Sequence, residues 1–171
     1  FVRRRCEPCV VDLTYVGATE ARLSDLALKA LQHADLVVVC PSNPYLSIDP
    51  ILSIPGVRRF IRKLPVPKIG VSPIVGGQAI KGPAAKMMVE MGKEVSARTV
   101  AEHFDGMLTG FVLDTADADL VDELPIPALA VNTMMVDMAS KSALAQSILD
   151  FARALGIGHR QPLPDRPVPP P

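Results

Sequence analysis

This 171-residue chain contains no tryptophan, and aromatic side chains make up only 4% of it. A core without large rings has to be aliphatic. The 49% apolar content accordingly comes from Val, Ile, Leu, Ala and Met, the set expected of a parallel sheet buried between helices. Net charge is missing too: 18 basic side chains balance 18 acidic ones, giving a formal +0. That excludes the electrostatic footprint of a domain that binds nucleic acid or a membrane surface. The three cysteines are an odd number, which argues against a disulfide framework and suits a reducing cytoplasm. Cys6 and Cys9 form a C-x-x-C pair, yet no second pair or histidine cluster completes a zinc site. A strand is expected after that pair, whereas a redox motif follows a strand and opens a helix. No apolar run approaches the roughly 18 residues of a membrane span. Asp12 interrupts the stretch after Arg3, Arg4 and Arg5, so no secretory signal is read. The chain opens at Phe1 and is expected to be a piece of something longer.

The length fits one domain and is too short for two comfortable ones. β-Branched residues at 10–16 predict an edge strand. Ser24 is a good N-cap for a helix carrying Ala27, Ala30, Leu31 and Ala34 at helical spacing. The run Asp35-Leu36-Val37-Val38-Val39-Cys40, apolar after its first residue, reads as a strand buried on both faces. Asp49-Pro50 predicts an N-cap with proline at the first helical position, and Pro55-Gly56 restarts a second helix with Val57, Phe60, Ile61 and Leu64 inward. Further strands are expected at 68–72, 110–114 and 128–132. Helices are expected from Pro83 (Ala84, Met87, Met88 and Met91 inward), after Ser96, and from about Ser140 to Leu155. Strands alternating with helices predict an α/β fold, a Rossmann-like, mostly parallel sheet with helices on both faces. Residues 1–158 form that domain, and the prolines of 159–171 predict a disordered or polyproline-like tail.

Two loops carry the functional signal. Pro41-Ser42-Asn43-Pro44-Tyr45-Leu46-Ser47-Ile48 follows the 35–40 strand, and Ser72-Pro73-Ile74-Val75-Gly76-Gly77-Gln78-Ala79-Ile80-Lys81-Gly82-Pro83 follows the next. Loops at the carboxyl ends of strands are where open α/β sheets bind nucleotides. Asn43, held extended by the following proline, can present its amide to a base edge or phosphate, with Ser42 and Ser47 adding hydroxyls. Gly76, Gly77 and Gly82 let backbone approach phosphates closely. Lys81 stands before a helix start whose free N–H groups favour an anion. The loop matches neither a Walker motif nor G-x-G-x-x-G. Local turn chemistry and solvated lysines are the competing reading.

Asp114, at the end of a strand, with Asp117 and Asp119 nearby, can hold Mg²⁺ through its water shell or can cap the next turn. Asn132 and Thr133, at the end of the following strand, are open to the same two readings. His33 and His103 fall at helix ends, where imidazole caps or packs. No Ser-His-Asp arrangement is present.

The two loops and their spacing, together with Lys86-Met87-Met88, Val95-Ser96-Ala97, Asp105-Gly106 and Gly110-Phe111-Val112-Leu113-Asp114, resemble the 2-phospho-L-lactate transferase (CofD) family. The likeness covers most of 1–155. It implies transfer of a 2-phospho-L-lactyl or phosphoenolpyruvyl group from a guanosine-diphosphate-linked donor to the deazaflavin Fo. GMP is released in coenzyme F-420 biosynthesis, and Mg²⁺ is the implied cofactor. It also implies that the deazaflavin contacts and metal-binding acids belong to a preceding portion of the family, so this chain resembles a C-terminal half and is expected to be inactive alone. A cytoplasmic enzyme is the corresponding expectation, with a homodimer as one option for its assembly. The alternative is a nucleotide-sugar-binding regulator of the gluconeogenesis-factor type, and a third reading is a scaffolding fragment that binds neither nucleotide.

Overall fold

A computed structural model describes residues 1–156; the end of the expected domain at 158 and the expected tail at 159–171 lie outside the described residues. Four strands form one parallel sheet: β1 (Val37–Val39), β2 (Lys68–Val71), β5 (Gly110–Asp114) and β6 (Ala128–Val131), in the order β1-β2-β5-β6. A two-residue pair, β3 (Ile74–Val75) and β4 (Gln78–Ala79), makes a separate antiparallel hairpin. The helices are α1 (Asp25–His33), α2 (Asp49–Leu52), α3 (Val57–Lys63), α4 (Ala84–Glu90), α5 (Ala97–His103) and α6 (Met138–Ala154). A π-turn at Pro44–Ile48 and 3₁₀ stretches at Val2–Arg4 and Thr115–Glu123 complete the set. This is the α/β, Rossmann-like arrangement that the alternating pattern predicts.

The sheet grows in one direction, so right-handed crossovers place the intervening helices on a single face. Phe111 and Leu113 of β5 point to that face and share a buried cluster with Ile61 of α3, Met87 and Met88 of α4, and Val100 of α5. Val112 points the other way, joining Ile69 and Val71 beneath Leu144, Ile148 and Ala152 of α6. Two glycines make room where layers meet. A Cβ at Gly70 would lie 2.5 Å from Leu108, and one at Gly110 would lie 2.9 Å from both Phe151 and Leu155. Lys68 starts β2 from a buried position, and its ammonium donates to the carbonyls of Leu64 (2.8 Å) and Val66 (2.9 Å) just past α3. Burial lowers its pKa below the ordinary lysine value.

Three local expectations are corrected. Residues 10–16 form no strand: the Val10 amide donates to Glu90 Oε2 (2.9 Å), while Val11 and Val16 are 92% and 95% exposed. β-Branched composition makes a strand only where a neighbour offers a ladder, and this segment has none. Asp49 does not cap α2. The π-turn runs into the helix without a break, Asp49 becomes its first residue, and its own N–H bonds Pro44 O. The last helix starts earlier, at Met138, behind a reciprocal capping box between Asp137 and Ser140.

Candidate functional site

Because the four strands are parallel, their carboxyl ends share one rim, and the two loops leave from neighbouring strands there. In the first loop Asn43 Oδ1 accepts from the amides of Tyr45 (3.0 Å) and Leu46 (3.1 Å), fixing the start of the π-turn. Its Nδ2 donates to Met87 Sδ at 3.4 Å, which ties the loop to α4 beyond the second loop. Tyr45 is buried with its carbonyl accepting from the Tyr15 hydroxyl (2.6 Å). The loop's far end is held by Asp49, whose two carboxylate oxygens both lie 2.9 Å from His103 Nε2, with Arg58 at 3.7 Å. His103 stands edge-on to Tyr45 and to Phe104. Burial first and Asp49 second raise the phenol pKa of both Tyr45 and Tyr15. Ser42 is half-buried and Ser47 exposed, and neither hydroxyl has a partner among the described residues.

The second loop is largely hairpin. Ser72 Oγ donates to Ile74 O and accepts from Ile74 N, turning the chain out of β2. Gly76 (φ +55°) and Gly77 (φ +71°) form the two-residue tip between β3 and β4, the left-handed pair that such tight hairpins require. The Gly76 amide is already in use, donating to Asp117 Oδ2 at 3.0 Å. Lys81 and Gly82 (φ +73°) are exposed just before α4, whose first turn has no side-chain cap.

Beside that uncapped turn lies a cavity of about 460 Å³ lined by Arg5, Cys6, Glu7, Gly82, Pro83 and Lys86. Arg5 (φ +48°) and Cys6 (φ +62°) are consecutive left-handed non-glycine residues, which costs backbone energy that the surrounding contacts have to offset. Lys86 is occupied structurally, donating to Pro8 O (2.9 Å) and to Glu90 and lying over the Phe1 ring. The N-terminal segment is thereby strapped across α4.

The acids beyond β5 are also engaged. Asp114 is buried and accepts from Ala116 N (3.0 Å), Thr133 N (2.8 Å), Thr133 Oγ1 (2.9 Å) and Thr115 Oγ1 (3.3 Å). Burial pushes its carboxyl up, but those hydrogen bonds together outweigh it and leave the pKa below the ordinary value. Its acceptor capacity is spent joining the ends of β5 and β6, while Asp117 braces the hairpin tip. Asn132 likewise bonds locally, accepting from Met134 N (2.9 Å). Among the described residues no three His, Cys, Asp or Glu converge on a point; the four hydrogen bonds to Asp114 occupy it structurally, and one oxygen of Asp117 is taken by the Gly76 amide.

The sequence therefore placed its candidates on one rim, with three links across it: Asn43 to Met87, Gly76 to Asp117 and Asp114 to Thr133. It missed the contributions of Arg5, Tyr15 and His103. The pairing of His103 with Asp49 spans 54 positions and has no local signature, although an imidazole at a helix end opposite an uncommitted acid is the kind of signal that could have raised it.

Fold and rim together define a Rossmann-like α/β protein with loops gathered at the strand ends, where open sheets of this kind bind ligands. Residues 2–152 match the family model for 2-phospho-L-lactate transferase CofD, and the chain belongs to this family. It is 35% identical over 155 residues, 91% of this chain, to 2-phospho-L-lactate transferase of Methanocaldococcus jannaschii, covering 49% of that protein. It is also 40% identical over 141 residues (80% of this chain, 44% of the relative) to phosphoenolpyruvate transferase of Streptomyces griseus. The Streptomyces coelicolor phosphoenolpyruvate transferase is 37% identical over 156 residues, 89% of this chain and 49% of the relative. The chain thus spans about half the length of the curated relatives it matches. No described helix is long and apolar enough to cross a membrane.

Proposed function

We propose that this chain supplies the nucleotide-holding part of a transferase. The enzyme moves a 2-phospho-L-lactyl or phosphoenolpyruvyl group from a guanosine-diphosphate-linked donor to the terminal hydroxyl of the deazaflavin Fo, in coenzyme F-420 biosynthesis. The hydroxyl oxygen attacks the phosphorus bearing the lactyl or enolpyruvyl group, its proton is lost, the bond to the bridging oxygen breaks, and GMP leaves. Such displacements depend on charge neutralisation and in-line placement rather than on a covalent intermediate. The observation that carries the reading is that the Asn43 turn and the Gly76–Gly82 segment leave neighbouring strands on one rim, in a chain whose relatives are named 2-phospho-L-lactate and phosphoenolpyruvate transferases.

In this assignment Ser42, Asn43 and Ser47 face the nucleoside. The Gly77 and Gly82 backbone and Lys81 face the phosphates, with Gly76 joining them if Asp117 releases its amide. Burial of the diphosphate beside Lys81 and Arg5 would strengthen those charge contacts. Mg²⁺ is retained only as what family membership suggests. Cytoplasmic location belongs to the same proposal.

Calorimetry with GDP and UDP tests it. GDP binds and raises the melting temperature, and UDP binds at least about tenfold more weakly, a difference of about 1.4 kcal/mol. Lys81→Ala leaves the unliganded melting temperature unchanged and removes most of the GDP-induced rise. A uracil preference would move the chain to the regulator class, and flat titrations with both nucleotides would remove the nucleotide assignment.

A further inference from the structure

We infer that a cavity walled by Arg58, Arg59 and Arg62 of α3, apart from the rim, binds a compact small-molecule polyanion of the diphosphate kind. The cavity holds about 410 Å³ and lies between α3 and the turn that carries the chain from α5 into β5. That volume suits a small ligand. The same turn ends at Thr109, whose amide donates to Lys68 O at the start of β2, so the cavity sits toward the amino ends of the strands. None of the residues assigned to the nucleotide lines it.

Three guanidiniums on one wall stand out in a chain whose acids and bases balance. Residues 50–67 contain Arg58, Arg59, Arg62 and Lys63 and no acid. α4 and α6 pair a cation within the helix, Lys86 with Glu90 and Arg153 with Asp150, whereas α3 has no such pair. Arg58 and Arg62 stand four positions apart and Arg59 and Arg62 three, spacings at which like charges repel. Asp105 is the one acid on the wall, and among the described residues it pairs with none of the three arginines. A bound anion carrying two or more charges cancels that repulsion, and a wall of one sign concentrates such anions from solution. Arg62 is also placed in advance. A Cβ at Gly106 (φ +66°) would lie 3.7 Å from Arg62 Cζ, so the guanidinium rests against the loop where no side chain intervenes. Its fork of donors then meets a phosphate with two parallel hydrogen bonds at little entropic cost.

The probe is inorganic pyrophosphate, titrated calorimetrically into the chain carrying Lys81→Ala, which takes the loop assigned to the nucleotide out of play. Pyrophosphate should bind, and added sodium chloride should weaken the binding. Arg59→Gln together with Arg62→Gln should weaken it by about tenfold or more. Both side chains are exposed, so the melting temperature of the unliganded chain should not change. Arg58 is left in place because it also faces Asp49 at 3.7 Å. Asp105→Asn removes the one opposing charge and should tighten binding about threefold. A second readout needs no change to the wall: the Nε–H resonances of Arg59 and Arg62 should shift on titration with the calorimetric affinity. Absence of binding, binding that the double variant retains, or arginine resonances that stay still would overturn the inference. Tighter binding of an oligoglutamate peptide than of pyrophosphate would overturn it too, by assigning the wall to an acidic protein segment. No nucleotide enters these measurements, so they fail or succeed independently of the proposed function.

Discussion

The connection leaving β1 takes its shape from side chains, whereas the one leaving β2 takes its shape from glycine backbone. In the first, Asn43 closes the turn, Tyr45 is sunk in the core, and the Asp49–His103 contact pins the exit. In the second, two left-handed glycines make the tip, and a single carboxylate from beyond β5 steadies it. Under the proposed function, the first, held by side chains, would discriminate among nucleosides, and the second, which presents amides and a lysine with little to hold them, would meet the diphosphate.

Tyr45→Ala should give the largest effect on this contrast. Emptying a buried aromatic position costs about 3–5 kcal/mol, read as a lower denaturant midpoint, with nucleotide affinity lost along with the first loop. His103→Ala comes next. It leaves a mostly buried Asp49 facing only Arg58 at 3.7 Å, a loss of about 1–3 kcal/mol, and should weaken nucleoside recognition more than affinity for inorganic pyrophosphate. Gly77→Ala forces a Cβ onto a left-handed residue at about 1–2 kcal/mol. Gly77→Asn should recover much of that, because asparagine tolerates the conformation. Similar stability for the two variants would mean that the hairpin tip is not built as described.

The smallest effect is the acid response of the bracing carboxylate. The Asp114 pKa is below its ordinary 3.8 in the folded chain. Its stabilisation is therefore fully present above that value and is lost as pH falls through the lower folded-state value. Asp114→Asn should lower stability near neutral pH and flatten the acid limb below about pH 4, as followed by unfolding at a series of pH values.

Much of this architecture was legible in the chain. Apolar runs marked the strands of the parallel sheet, and the Met87–Met88 stripe marked the buried face of α4, since burial periodicity is a local property. Asn43 before Pro44 was read as presenting its amide to a ligand, and the competing reading, turn chemistry, is the one its bonds to Tyr45 and Leu46 follow. What escaped was set by distant partners. The 10–16 segment has the composition of a strand, but whether it becomes one depends on a neighbour. Asp49 has the sequence context of a cap, yet its carboxylate answers to His103, 54 positions away. The glycines advertised left-handed turns without disclosing that an aspartate would take up one of the freed amides.

Lys68 has a practical consequence of its own. With its amine enclosed by the carbonyls of Leu64 and Val66 at the foot of β2, it is shielded from acylating reagents that reach exposed lysines such as Lys81. The rate at which label enters this one position therefore follows opening of the start of β2. A mass spectrum at successive labelling times would report that opening without any engineered probe.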